Sequence, residues 1–389
     1  MAGRQLTLLP LLVISGIVVV GQLYGAIPLT AGIAAEFGAS TRDAAWVSSV
    51  FGFGYAPGFL LFGSVTDRIG CRKTAVLGLV LLAIATTLVA EATTFETLLW
   101  ARFAQGVCAS SFAPAALALV AEAFPPRDRP IGLSLVSFSF LAAAPAAQFA
   151  AVRIGEPLST LMFWTVPGYV LCAVALVLVC PSVLPFRSTK SSGWTSVEIL
   201  VSDPGIIGTW IAAATVLFAF VVFQSSLQAL ASAAGVSAQL LRLVGSSGLL
   251  ATLAAAAVIR KCGAPRTAMF GVMMVAFAFL FAIEHQTGAL IAASVLIEAG
   301  VGLAIPGMIA TAVERAPPPS RGLGNGIYAC ILFLGASLGS PIGSLLAQSG
   351  PLAFYLVPTL LLCAATFVLA RVSYFRVRSC GFEQPSGAG

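Results

Sequence analysis

About twelve stretches of this sequence are each long and apolar enough to cross a layer of hydrocarbon. They fall at 7–34, 41–62, 74–91, 94–123, 130–152 and 159–182, then, after a polar stretch, at 204–231, 236–258, 266–284, 287–313, 322–348 and 351–374. A spanning helix needs ~20 mostly apolar residues. Lipid offers no water to satisfy a bare backbone, so only helices and closed barrels cross it. Barrel strands alternate apolar with polar residues, whereas these runs are continuously apolar, so they read as helices. Composition agrees: 59% of the residues are hydrophobic, 9% are charged and the mean hydropathy is +1.01. A soluble domain is about a quarter charged. The expected fold is therefore an all-α polytopic membrane protein. The first run is too long for the apolar core of a signal peptide and only Arg4 precedes it, so it is expected to stay as the first span.

Lys and Arg set the orientation. With both termini in the cytoplasm, sixteen of the 20 basic residues lie inside, leaving Arg42, Arg102, Arg153 and Arg242 for the outside or the membrane. That asymmetry is the positive-inside pattern. It accounts for the net charge of +6 without any nucleic-acid partner. The eight cysteines form no CxxC pair and sit mostly inside apolar runs, and the lone His285 lies in an external loop, so no metal site is expected. No GxxxxGK[ST] phosphate loop is present, and no nucleophile, base and oxyanion set assembles from one histidine and scattered serines. The chain is not expected to be an enzyme. Abundant Ala, Gly and Arg against scarce Lys point to a GC-rich bacterial genome, and hence to a bacterial cytoplasmic membrane.

The longest polar stretch divides the chain into residues 1–182, a linker over 183–203, and residues 204–389, with six runs on each side. The halves resemble each other. EAFPPRDRPIG, from Glu122 to Gly132, returns as ERAPPPSRGLG, from Glu314 to Gly324, and Pro114 and Pro306 share the same offset. IRKCGAPR at 259–266 is a worn copy of GSVTDRIGCRK at 63–73. Repeated halves with a site between them near the membrane midplane are common in transporters.

GSVTDRIGCRK resembles the G-x-x-x-D-[RK]-x-G-[RK]-[RK] signature that the major facilitator superfamily carries between spans two and three. Gly63, Asp67, Arg68, Gly70 and Arg72 fall on the pattern, and Cys71 stands where a basic residue is usual. RFAQG, with Arg102, Gln105 and Gly106, resembles the fourth-span R-x-x-Q-G motif. The resemblance implies two six-helix bundles related by a pseudo-two-fold axis, working by alternating access as a monomer. It also implies that the loop latches the halves together when the cytoplasmic side is closed. Gly63, Asp67, Arg68, Gly70, Arg72, Glu122 and Glu314 are the latch candidates. A simple positive-inside anchor is the plainer alternative, though an anchor needs neither an Asp nor a glycine pair. Glu122 ends the fourth run beside this loop and is expected to pair with Arg68 or Arg72.

Function is read from polar groups inside the membrane, which are costly there. Glu298 lies about midway along its run and is the only acid so placed. A carboxyl group in low dielectric is stable when protonated or when paired. Glu298 is thus either a coupling or substrate group, or one half of a structural pair. Arg102 could hold an anionic group or bond neighbouring helix carbonyls. Gln22, Gln105, Gln224 and Gln228 are amides at cavity-type positions, the last two four apart on one face, and Tyr24 could line an apolar pocket. Arg242, near the outer end of span eight, is a weaker candidate. Within the superfamily the chain looks most similar to drug:proton antiporters and arabinose-efflux permeases. Their fifth-span G-x-x-x-G-P-x-x-G-G appears here as FLAAAPAAQF, 140–149, with Pro145 kept and Phe140, Ala144, Gln148 and Phe149 in place of glycines. The expected function is proton-coupled efflux of small, largely apolar compounds, driven by the proton gradient without a cofactor. The partners are the substrate, protons and the bilayer. A permease for a polar metabolite, or a membrane sensor without flux, are the alternatives.

Overall fold

The computed structural model describes residues 2–125, 127–155, 157–180, 193–284, 286–317 and 320–380, without the side chains of 2–6, Asp67, Pro130, 193–196 and 372–380. His285 lies outside the described residues. Among the described residues there is no strand. Twelve helices are long and apolar enough to cross a membrane. The first six are Thr7–Glu36, Thr41–Thr66, Cys71–Ala90, Phe95–Ala123, Ile131–Ile154 and Leu158–Val179. The second six are Pro204–Ala233, Ala238–Cys262, Ala264–Ala282, Thr287–Arg315, Arg321–Gln348 and Pro351–Arg371. These are spans one to twelve below. Each boundary falls within about a helical turn of the apolar run that announced it. Large apolar side chains face outward, with Leu178 77%, Leu352 73% and Trp164 71% exposed, as a surface solvated by lipid requires. An even number of spans puts both chain ends on one side, together with the loops rich in Arg and Lys. That side is called basic here.

The two halves repeat one set of pairings. Span one packs on five as seven packs on eleven, two on four as eight on ten, and three on six as nine on twelve. The loops repeat in atomic detail. Gly70 turns the chain from span two to three at φ 91° and ψ 150°. Gly263 does so from span eight to nine at φ 87° and ψ 153°. Each glycine carbonyl then receives the hydroxyl of a threonine four residues on, Thr74 at 3.0 Å and Thr267 at 2.9 Å. The matching EAFPPRDRPIG and ERAPPPSRGLG loops are tied the same way. Arg129 Nε donates to the Phe124 carbonyl at 2.8 Å, and Arg321 Nε to the Ala316 carbonyl at 3.2 Å.

The linker expected over 183–203 is not all loop. Residues 181–192 lie outside the described residues, but Gly193–Ser202 is helical. Its Leu200 is fully buried and lies 3.3 Å from the Cβ position of Gly324 in span eleven. Asp203 closes this helix and caps span seven, accepting the Gly205 N–H at 2.7 Å. Its carboxylate also takes two guanidinium nitrogens of Arg315 at the end of span ten, Nε at 3.0 Å and the terminal nitrogen at 2.9 Å. Neither residue stood out in the sequence, although Asp before Pro at a helix start is a capping signal.

The turn at Gly263 gives a clean test of the backbone. A Cβ there would touch nothing within 4 Å, so Gly263→Ala pays only for its positive φ. A conformation of that kind costs a non-glycine residue ~1–3 kcal/mol. Gly263→Ala is expected to lower the thermal unfolding midpoint of the purified protein, and an unchanged midpoint would refute the assigned turn. A second expectation concerns acid. Burial pushes the Asp203 carboxyl up, but the Arg315 hydrogen bonds and the Gly205 and Ile206 N–H groups outweigh it and hold it below the usual range. A group depressed on folding stabilises above its unfolded value of ~3.9 and loses that contribution as pH falls through the folded one. The stability gap between the parent and Asp203→Asn should therefore be full near neutrality and shrink once pH drops below ~4.

Candidate functional site

The intramembrane polar residues separate into two centres. The first is a knot inside the amino-terminal half. Arg102 is fully buried, and three of its guanidinium nitrogens are engaged. Nε donates to the Val47 carbonyl in span two at 3.0 Å, one terminal nitrogen to the Gln22 carbonyl in span one at 2.9 Å, and the other to Gln105 Oε1 at 2.6 Å. The Phe51 ring covers the cation, 4.6 Å from ring centre to Cζ. Gln105 passes the network on, donating to the Thr86 hydroxyl in span three at 2.8 Å and, longer, to Gln22 Oε1 at 3.4 Å. The local sequence makes this reach possible. A Cβ on Gly106 would collide with the Phe51 backbone, and one on Gly54 with the Phe103 backbone, so spans two and four cross in near backbone contact. Of the two roles left open for Arg102, this geometry describes the structural one. Gln22 and Gln105 belong to the same knot rather than to an open cavity.

The second centre lies in the carboxy-terminal half and contains Glu298. This carboxyl is 3% exposed. Its Oε1 accepts the Gln224 amide at 2.9 Å, while Oε2 has no hydrogen-bond partner. Gln224 Oε1 and the Ser294 hydroxyl are likewise buried without partners. These groups line a cavity with Phe223, Leu227, Leu241 and Arg242. The cleft between them is too narrow to admit even a water-sized sphere. In this state the cavity accommodates a proton but not a drug-sized ligand. Arg242 is buried and donates Nε to Gln148 Oε1 in span five at 2.8 Å, a hydrogen bond between the two halves.

Gln228 departs from expectation. Four-residue spacing placed it on one face with Gln224, but it is exposed near the end of span seven. Leu227, Leu230 and Ala231 around it are still buried, so the helix stays packed there and Gln228 falls on its outer edge, leaving Gln224 to reach the cavity. Tyr24 stacks edge-on against Phe220 of span seven at 6.1 Å and lines a second cavity between the halves with Ser48, Ser49, Val221, Ala336 and Ser340.

The latch candidates are spread along the basic side. Gly63 and Gly322 have nothing within 4 Å of a Cβ position, so no neighbouring helix closes on either. The Asp67 side chain lies outside the described residues. Arg68 is exposed, and Arg72 donates to the Val177 carbonyl at the end of span six at 2.6 Å. Glu122 does not pair with Arg68 or Arg72 among the described residues. It accepts the Cys71 thiol at 3.0 Å instead. Cys71 is the first residue after the Gly70 turn and faces span four, while Arg72 is carried round toward span six. Glu314 is exposed, and its neighbour Arg315 makes the ion pair already described.

The Major Facilitator Superfamily model matches residues 12–259 and 209–381 of the chain. An uncharacterized MFS-type transporter, YceJ of Bacillus subtilis, is 25% identical over 349 residues, 81% of this chain and 82% of that protein. The multidrug resistance protein MdtL of Shewanella oneidensis is 29% identical over 174 residues, but the match spans only 45% of this chain and 42% of that protein. A solved bacterial homolog of the human lysosomal transporter Spinster shares the fold, with a TM-score of 0.66 at 15% identity over 96% of both chains.

The Arg102 knot makes a sharp prediction. Hydrogen bonds to a charged group are worth ~1.5–3 kcal/mol each, and buried carbonyls left alone cost a similar amount. Arg102→Lys keeps the charge but cannot span three partners. Both Arg102→Lys and Arg102→Ala should lower the unfolding midpoint and the yield of folded protein. A variant of unchanged stability with lost substrate binding would instead make Arg102 a ligand group.

Proposed function

The chain belongs to the major facilitator superfamily, and from that premise we propose that it is a proton-coupled exporter of small, largely apolar compounds. The family and fold are those of transporters, and the chain is a multi-pass membrane protein. The finer reading rests on one observation: Glu298 is buried in a cavity too small for a drug-sized ligand, held at one oxygen by Gln224 and open at the other. Such an acid can carry a proton or a charge, and its neighbourhood stabilises neither state fully. The partial likeness to the multidrug resistance protein MdtL supports efflux as the direction.

In this reading the basic side faces the cytoplasm of a bacterium, both termini are cytoplasmic, and the chain works as a monomer without a cofactor. A proton arriving from outside neutralises Glu298. Substrate arriving from inside favours the ionised form. The two compete through one charge, which is antiport. Gln224 holds Glu298 Oε1 in place so that the proton is bound and lost at Oε2. Tyr24, Phe220 and the serines around them form the start of a substrate path between the halves, apolar with a few hydroxyls. On the side opposite the chain ends the halves are joined from Tyr24 to Phe220 and from Arg242 to Gln148, while toward the chain ends spans two and eleven meet through Tyr55, Phe59 and Phe333 and through Leu60 at Gly326. In this reading the first set is the outer gate, shut in this conformation.

Purified protein in proteoliposomes under an imposed pH gradient, screened over a compound panel, tests the reading. Glu298→Gln keeps the shape but fixes the neutral state. It should reduce gradient-driven flux to background while binding of an uncharged substrate survives. Gradient-driven flux at the parent rate in Glu298→Gln would make Glu298 structural and favour a facilitator or permease.

A further inference from the structure

Arg242 and Glu298 are buried ionisable groups that line one cavity, yet no ion pair joins them in this state among the described residues. Each is held by a neutral amide, Arg242 by Gln148 and Glu298 by Gln224. A buried charge without a counter-ion is costly, so an ionised Glu298 favours a cation over a neutral amide. Gln148 holds Arg242 through Nε, and the guanidinium is rigid and planar, so it reaches Glu298 only by swinging as a whole and giving up that bond. The two amide partners differ in one respect. Gln224 sits in the same half as Glu298, whereas Gln148 belongs to the opposite half, so whatever draws Arg242 away from Gln148 also parts spans five and eight.

We propose that Arg242 transmits the charge of Glu298 to the contact between the halves. This rests on the reading of Glu298 as the proton site. With Glu298 neutral, Arg242 keeps Gln148 and the side opposite the chain ends stays shut. When Glu298 loses its proton toward the basic side, the carboxylate outcompetes the neutral amide for the guanidinium. Span eight then releases span five and the shut side opens. A proton taken up from that side neutralises Glu298 and returns Arg242 to Gln148. Other groups around Glu298 do not supply the counter-ion. Span seven contributes the neutral Gln224, and span nine packs Gly271 and Val275 against the next turn, at Gly300. Span one contributes the Tyr24 phenol, which interacts electrostatically with Glu298 but carries no positive charge. Gln148 also acquires a role. Its Nε2 is buried without a partner, so the hydrogen bond its side chain makes among the described residues is the link to Arg242.

The test is a distance between the halves. Spin labels on unnatural amino acids at the exposed positions Val152 and Ser237, at the ends of spans five and eight, report opening in the full-length protein in nanodiscs. In the parent, a long-distance population is expected to grow as pH rises, by roughly tenfold or more relative to the short one, the usual range of coupling between sites. Glu298→Gln should show the short distance at every pH. Arg242→Gln should lose the pH response, and Arg242→Lys should recover part of it. Gln148→Leu frees Arg242 and should shift the opening to lower pH. A parent-like pH response in Arg242→Gln overturns the inference, as does an unmoved midpoint in Gln148→Leu, which decides alone if Arg242→Gln does not fold. A pH response that survives Glu298→Gln removes the proton site itself, and with it the premise, so the two failures are told apart.

Discussion

A polar group inside hydrocarbon finds its partner within the protein or goes without, and the rest of this structure follows from how that demand is met. The backbone meets it by twelve helices. Arg102 meets it by binding carbonyls and an amide from spans one, two and four. Such a group has no reason to move, and the amino-terminal half is correspondingly fixed around it. Glu298, Gln224 and Ser294 meet it only in part, each leaving a buried atom without a partner. Incomplete satisfaction is costly at rest. It also leaves hydrogen-bonding capacity unused at the second centre, in contrast to the Arg102 knot.

The two halves are thus alike in architecture and unlike in chemistry. The loops, turns and helix pairings recur almost atom for atom, yet the buried arginine of the first half has no counterpart at the same place in the second. There, a carboxyl group occupies the interior of span ten, and the cation sits on span eight, tethered across to span five. Division of labour follows. The first half supplies a hydrogen-bond acceptor, Gln148, for the contact, and the second half the cation that binds it. In the proposed cycle Glu298 decides whether that contact holds.

Much of this was legible in the sequence, and the exceptions share a cause. Continuous apolar runs fix spans because length and backbone satisfaction leave no other solution. The repeated Glu-Pro-Pro-Arg-Gly pattern and the glycines at 70 and 263 encode local geometry, which depends on neighbours in the chain. Glu298 was visible because a midplane acid is rare. What sequence could not supply was depth and partner. The spacing of Gln224 and Gln228 gives a shared face, but one is buried and the other exposed, since residues four apart are turned by about 40° and the edge of the packed face falls between them. Glu122 lies beside a basic loop, but the side chain turned toward it is a thiol. Gln148 read as a lost glycine, and only the fold brings span eight against it. Asp203 and Arg315 are 112 residues apart, beyond any local rule.

The paired tethers of Arg129 and Arg321 carry a mechanical consequence. Each pins the start of its helix to the end of the preceding one by a single bond spanning five residues, at equivalent points of the two halves. Loops braced in this way act as stiff corners, not as joints. Spans four and five, and spans ten and eleven, are thereby joined as braced elbows, so relative movement of the halves falls on the contacts between them, of which the meeting of spans two and eleven is the broadest.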